Sequence, residues 1–323
     1  MPRFDLSDEE LRTYRPQVAE PDDFDDFWEK TLAESRALAE PVQVRRIDSP
    51  LQSVEVYDVT FSGFRGDSVG GWLLLPAGGD EPLPAVVEFN GYGGGRGLPH
   101  ERLGWAASGY AHFFMDTRGQ GSGWGTGGVT GDPHGSGPAV PGFMTRGIDD
   151  PHDYYYRRVY TDAVLAVDAI RSLDRVDAAR VAVTGISQGG GITIAAAALS
   201  TGLVAAMPDV PFLCHFRRAV GFTERDPYQE IVRYLAVHRG ATERAFETLS
   251  YFDGVNFARR ASAPALFSVA LMDPVCPPST VYAARNNWDG VADITEYAFN
   301  QHEGGLGVQW EQQAAFLAEQ LAG

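Results

Sequence analysis

The stretch Val181-Ala-Val-Thr-Gly-Ile-Ser-Gln-Gly-Gly-Gly-Ile-Thr-Ile-Ala-Ala-Ala-Ala-Leu199 decides how the rest of the chain is read. A short β-branched run leads into Gly185-Ile186-Ser187-Gln188-Gly189, and an Ala-rich helical run follows. Strand, tight turn and helix around G-x-S-x-G form the context of a nucleophile elbow. A serine hydroxyl is a poor nucleophile, so it has to be held on an exposed turn where a base reaches its proton. Gly185 and Gly189 permit that turn, because a Cβ at either place would crowd the neighbouring strand or helix. The helix start just after Ser187 places unpaired N–H groups beside any oxyanion that forms there. With 37 glycines in the chain, the bare motif decides little; its flanks decide more.

Working outward, the spacing on both sides is that of βαβ units. Ala85–Phe89 and Gly109–Met115 read as strands, Tyr154–Leu173 as a long helix, and Val204–Val210, Ala265–Leu271 and Ile294–Phe299 as further strands before a closing helix at Trp310–Leu321. Strands alternating with helices predict an α/β fold with a mostly parallel sheet covered on both faces. Ahead of it, Val54–Phe61 alternates at period two and Gly71–Leu75 follows a Gly-rich turn, an antiparallel opening. Ser7 with Glu10 forms a capping-box pattern, and Pro21 to about Leu38 reads as an amphipathic helix. We read residues 1–323 as a single domain, with a helical extension over 1–40 and insertions at 121–150, rich in Gly and Pro, and 214–262, which looks helical.

Composition bounds the function classes. A chain of 323 residues can bury roughly three quarters of its unfolded surface and needs no disulfide or metal staple. A formal net charge of −17 leaves no basic stripe for nucleic acid and disfavours anionic lipid, and it is read as a solubility feature. No run approaches a membrane span, and the N-terminus has no apolar leader segment. The two cysteines, Cys214 and Cys276, read as reduced thiols of a cytoplasmic protein. Cys276 lies three residues from Asp273, which leaves a redox role open.

A serine nucleophile needs a base, and the base an orienting acid, in this fold in the order Ser, Asp or Glu, His at strand exits. Asp273 follows the apolar run Ala265–Met272, and His302 follows the last strand. Of seven histidines, only His302 comes after Asp273. The second oxyanion donor belongs to the loop after an early strand, and Asn90-Gly-Tyr-Gly-Gly-Gly95 has that place and texture. The backbone N–H groups of Tyr92 and Gln188 are therefore assigned as donors, each worth about 3 kcal/mol to the transition state. Tyr92, Phe212 and Pro278 are expected to bound a small acyl pocket. His302-Glu303 does not continue to a zinc pattern, because Leu306 stands at the second ligand position. Gly123-Trp-Gly-Thr-Gly-Gly128 matches a dinucleotide fingerprint by letter but has no strand before it and no helix after it. No metal or organic cofactor is expected.

Arg118-Gly-Gln120, Gly185-Ile-Ser-Gln-Gly189 and His302-Glu303 resemble the three signature motifs of carbohydrate esterase family 7, the acetyl xylan esterases and cephalosporin C deacetylases of the α/β-hydrolase superfamily. The likeness spans nearly the whole chain, through Val87 to Gly94, Tyr154–Arg158, Pro211–Phe216 and Ser250–Phe257. One departure is Gln301, where the family usually has Gly. The resemblance implies a serine esterase that deacetylates small acetylated substrates such as xylo-oligosaccharides and cephalosporin C. It also implies a cytoplasmic homohexamer and a bracing role for Arg118 and Gln120. A hydrolase-fold receptor without turnover, a peptidase or a longer-chain lipase are the alternatives.

Overall fold

In the computed structural model, residues 3–135 and 137–322 are described; positions 1, 2, 136 and 323 of the segments named above lie outside them. Chain order runs α1 (Asp8–Thr13), α2 (Phe24–Arg36), β1 (Gln43–Ile47), β2 (Val54–Ser62), β3 (Ser68–Pro76), β4 (Leu83–Phe89), α3 (Gly104–Ala107) and β5 (Ala111–Met115). It continues through α4 (Tyr155–Arg171), β6 (Val176–Ile186), α5 (Gln188–Leu199), β7 (Leu203–Asp209), α6 (Phe216–Phe222), α7 (Tyr228–Val237), α8 (Thr242–Ser250) and α9 (Gly254–Ala258). β8 (Ala265–Ala270), α10 (Pro278–Asn287), β9 (Ala292–Tyr297) and α11 (Leu306–Ala322) complete it.

One nine-stranded sheet, ordered β1-β2-β3-β5-β4-β6-β7-β8-β9, carries these elements. The first three strands and the β3–β5 pair are antiparallel, and every pair from β5 onward is parallel. The central parallel strands are largely apolar because helices cover both faces, and β5 and β8 are buried at every position, whereas the edge strand β9 is half-exposed. Alternation still sorts their side chains. Val86 joins Trp105 of α3 and Leu317 of α11 on one face, while Ala85 and Val87 join the larger core with α4 and α5 on the other.

In β2 the two-residue alternation is unbroken, but the apolar side chains change faces along it. Val54 and Val56 pack with Leu74 and Ala106, whereas Val59 and Phe61, on the opposite face with Tyr57, meet the main core. β1 has no counterpart in the sequence reading. It is an edge strand exposed at four of five positions, held by ion pairs from Arg45 to Asp58 (2.7 Å) and Arg46 to Glu55 (3.1 Å), so it carries no apolar pattern. The capping box at Ser7 and Glu10 forms as the spacing predicts.

Among the described residues, 121–150 contains no helix or strand, and α6 to α9 fill 214–262. The first of these stretches is tied down by polar contacts. Asp116 accepts the N–H groups of Val129 (2.6 Å) and Thr130 (2.8 Å), and Asp132 pairs with Arg158 at 2.9 Å. Arg118 is fully buried, forked onto Asp162 at 2.6 and 2.8 Å and bonded to Asp67 at 2.7 Å. Burial works against its charge, but Asp162 and Asp67 more than offset that and hold the guanidinium above its ordinary pKa.

Candidate active site

Ser187 sits between β6 and α5 with φ 57° and ψ −115°, a conformation that non-glycine residues rarely adopt. Three main-chain bonds enforce it: Ser187 N–H to Asp209 C=O (2.9 Å), and Gly191 and Phe212 N–H to Ser187 C=O (3.1 and 2.9 Å). The flanking glycines are required by space. A Cβ on Gly185 would lie 2.5 Å from the Gly189 backbone, and one on Gly189 would lie 2.2 Å from the Phe89 carbonyl oxygen.

The hydroxyl meets its partners directly. Ser187 Oγ lies 2.9 Å from His302 Nε2, and His302 Nδ1 lies 2.8 Å from Asp273 Oδ2. Asp273 is fully buried just past β8, and its Oδ1 accepts the N–H groups of Val275 (2.7 Å) and Cys276 (3.0 Å). β9 ends at Tyr297, earlier than the sequence suggests, so His302 stands on a loop. Glu303 pins that loop by accepting Gln301 N–H at 3.2 Å, and Gln301 has no positive φ, so a side chain is tolerated where glycine is usual.

The loop after β4 spends its polar groups unevenly. Asn90 bridges Gly95 C=O and Gly91 N–H, Gly93 N–H donates to Gln120 Oε1 at 2.7 Å, and Gly94 N–H donates to Gly91 C=O. Among the described residues, the Tyr92 N–H makes no hydrogen bond within the chain, and neither does that of Gln188 at the start of α5. Gln120 binds the two donor-bearing segments together. Its amide faces that of Gln188 at 2.8 and 3.2 Å and also donates to Tyr155 Oη. Tyr155 in turn donates to the Arg118 carbonyl, which links the buried Arg118 to the same brace.

A cavity of about 430 Å³ opens over Ser187 and His302, walled by Gly91, Tyr92, Trp124, Ile186, Asp226, Pro227 and Val275. Phe212 and Pro278 are not on this wall, which corrects the sequence reading. Phe212 is fully buried, its ring 6.3 Å from that of Tyr92 and 4.3 Å from that of Tyr228. Pro278 is buried at the start of α10. Both lie near the site in sequence, but core packing draws their side chains inward. Trp124 escaped notice because its loop has no period; the only signal was a lone Trp among glycines. A groove of about 750 Å³ between residues 17–23 and the 214–262 insertion shares no lining residue with this cavity.

Both cysteines are free and buried, and burial raises their thiol pKa values well above the ordinary range, so little thiolate is available. Asp273, Cys276 and His302 offer donor atoms within 4.8 Å of one another, the one such group among the described residues. Two of its three members are already hydrogen-bonded to each other.

Asp209, whose carbonyl holds Ser187, has a buried carboxyl that accepts the Ser268 hydroxyl. Burial pushes this carboxyl up to about 6, with Ser268 opposing. The folded state therefore binds more protons than the unfolded chain between about 4 and 6, and this contribution to stability is lost as pH rises through that window. Asp209→Asn is expected to gain stability relative to the wild type between pH 5 and pH 7. Urea unfolding at both pH values checks this, and a constant gap between the two proteins would refute the assignment.

Sheet and site together define an α/β-hydrolase fold carrying a serine–histidine–aspartate set at its strand exits. The chain belongs to the acetyl xylan esterase (AXE1) family, whose sequence pattern matches residues 1–320. It is similar to the solved acetyl xylan esterase from Paenibacillus sp. R4, with 40% identity, a TM-score of 0.92, and 97% of this chain and 99% of that one covered. Acetyl xylan esterase 1 from Thermoanaerobacterium sp. JW/SL YS485 is 33% identical with a TM-score of 0.89, again over 97% and 99% of the two chains. Acetyl esterase Axe7A of Xylanibacter ruminicola is 27% identical over an alignment of 299 residues that covers 84% of this chain and 61% of the relative. The chain thus spans 61% of the length of that curated protein.

Proposed function

We propose that this chain is a serine esterase that removes acetyl groups from small acetylated substrates through an acetyl-enzyme. The observation that carries the reading is the continuous relay from Ser187 Oγ through His302 to Asp273, at 2.9 and 2.8 Å, beside two unengaged N–H groups. Ser187 attacks the acetyl carbonyl as His302 Nε2 takes its proton. The oxyanion is met by the N–H groups of Tyr92 and Gln188. His302 returns the proton to the departing alkoxide, and the alcohol leaves. Water repeats the sequence on the acetyl-serine and releases acetate. Asp273 accepts the hydrogen bond from Nδ1–H throughout and fixes the tautomer.

The names of the similar proteins support acetyl over longer acyl groups. Acetylated xylo-oligosaccharides, other acetylated sugars and cephalosporin C are the proposed substrates, and a cytoplasmic homohexamer the proposed assembly. A panel of p-nitrophenyl esters tests the activity: kcat/KM for acetate is expected to exceed that for octanoate by at least tenfold, and anilides should react far more slowly. Preference for octanoate would point to a lipase, comparable anilide cleavage to a peptidase, and no turnover at all to a binding protein.

A further inference from the structure

Tyr92 is held at three points besides the N–H it offers to the cavity. Trp124 Nε1–H donates to its carbonyl at 2.7 Å, and the next N–H, of Gly93, is taken by Gln120. The phenol is held more elaborately. It donates to Glu230 Oε1 at 2.6 Å and accepts the Phe143 N–H at 2.6 Å, while Glu230 Oε2 accepts the Met144 N–H at 3.0 Å.

Glu230 belongs to α7, in the 214–262 insertion, and is only 4% exposed. Arg233, one turn further along that helix, pairs with Asp226 at 2.6 Å instead. The carboxylate is therefore buried against neutral donors, an arrangement tolerated only where each donor is well aimed. The 121–150 loop closes over it so tightly that a Cβ on Gly142, at φ +125°, would fall 2.2 Å from the Glu230 carboxyl. Three segments distant in sequence thus converge on one carboxylate whose other contact is the oxyanion-loop tyrosine. A packing residue alone would need no charge here; an apolar side chain of similar size would fill the space.

We infer that Glu230 is a positioning residue for the hydrolysis: through the Tyr92 hydroxyl it fixes the Tyr92 main-chain N–H at the oxyanion site. The rate of the chemical step then depends on how α7 docks against the 121–150 loop. The inference rests on the esterase reading given under Proposed function.

A double-mutant cycle on p-nitrophenyl acetate tests it, with kcat expressed per active site titrated by a fluorophosphonate. Glu230→Gln keeps the shape, but its amide cannot accept from both Tyr92 and Met144. Tyr92→Phe removes only the hydroxyl. Each is expected to lower kcat about 10- to 100-fold, less than the 10²–10³-fold loss when a donor is removed outright, with KM changed less than about threefold. The double variant should be no worse than the poorer single one within about threefold. A purely structural role would lower the titrated fraction and the melting temperature and leave kcat per titrated site intact. Values within twofold of wild type for both variants, or losses that multiply, overturn the inference. If Glu230→Gln does not fold, Tyr92→Phe decides by the same kcat criterion. Wild-type protein inert toward acetate esters would sink the esterase reading and this inference together, whereas active wild type with unaffected variants sinks the inference alone.

Discussion

Ser187→Ala is expected to lower kcat by about 10⁴-fold or more while leaving the fold unchanged. Only Oγ is removed. The unusual backbone at this position is enforced by main-chain bonds to Asp209, Gly191 and Phe212, which alanine keeps. His302 and Asp273 would remain paired at 2.8 Å, and the Tyr92 and Gln188 N–H groups would still be unengaged. Residual hydrolysis would come from water attacking a carbonyl whose developing oxyanion those donors still stabilise. Steady-state kinetics on p-nitrophenyl acetate, with circular dichroism as the folding control, gives the number. Loss of fluorophosphonate labelling at residue 187 gives the chemistry. More than about 1% residual kcat, or labelling that persists elsewhere, would mean another group attacks.

Asp273→Asn is expected to cost about 10⁴-fold in kcat with little change in KM. The side chain keeps its volume, and its Oδ1 can still accept from Val275 and Cys276. The change falls on the other atom. Asp273 Oδ2 accepts a hydrogen bond from His302 Nδ1–H; an amide nitrogen there donates instead, so the imidazole shifts its proton to Nε2. Nε2 then faces the Ser187 hydroxyl as a donor and cannot take its proton. A loss below about tenfold would show that tautomer control is not what Asp273 supplies. The variant should remain folded, because every main-chain bond to the carboxyl survives.

The reactive groups were legible because they are local. G-x-S-x-G needs only its own strand, turn and helix, and Asp273 and His302 announce themselves by following strands in a fixed order. The central parallel strands were legible for a similar reason: burial on both faces makes them largely apolar. β1 was not, since an exposed edge strand held by Arg45 and Arg46 has no hydrophobic pattern to read. The switch of the apolar face along β2 was equally silent. Cavity walls were read poorly, with Phe212 and Pro278 misplaced and Trp124 overlooked, because side-chain direction there depends on packing between distant segments. Glu230 is the extreme case. It lies 138 positions from the tyrosine it binds, in an insertion whose sequence says only that it is helical.

The cavity draws its parts from two sources. The attacking hydroxyl, the base and the acid stand where rigid parallel strands end, whereas Trp124, Asp226 and Pro227 belong to the long excursions at 121–150 and 214–262. Those excursions can exchange residues, and so admit different alcohols, while the bond-breaking geometry stays anchored in the sheet. Descendants of this chain can therefore diversify their diet without relearning the reaction.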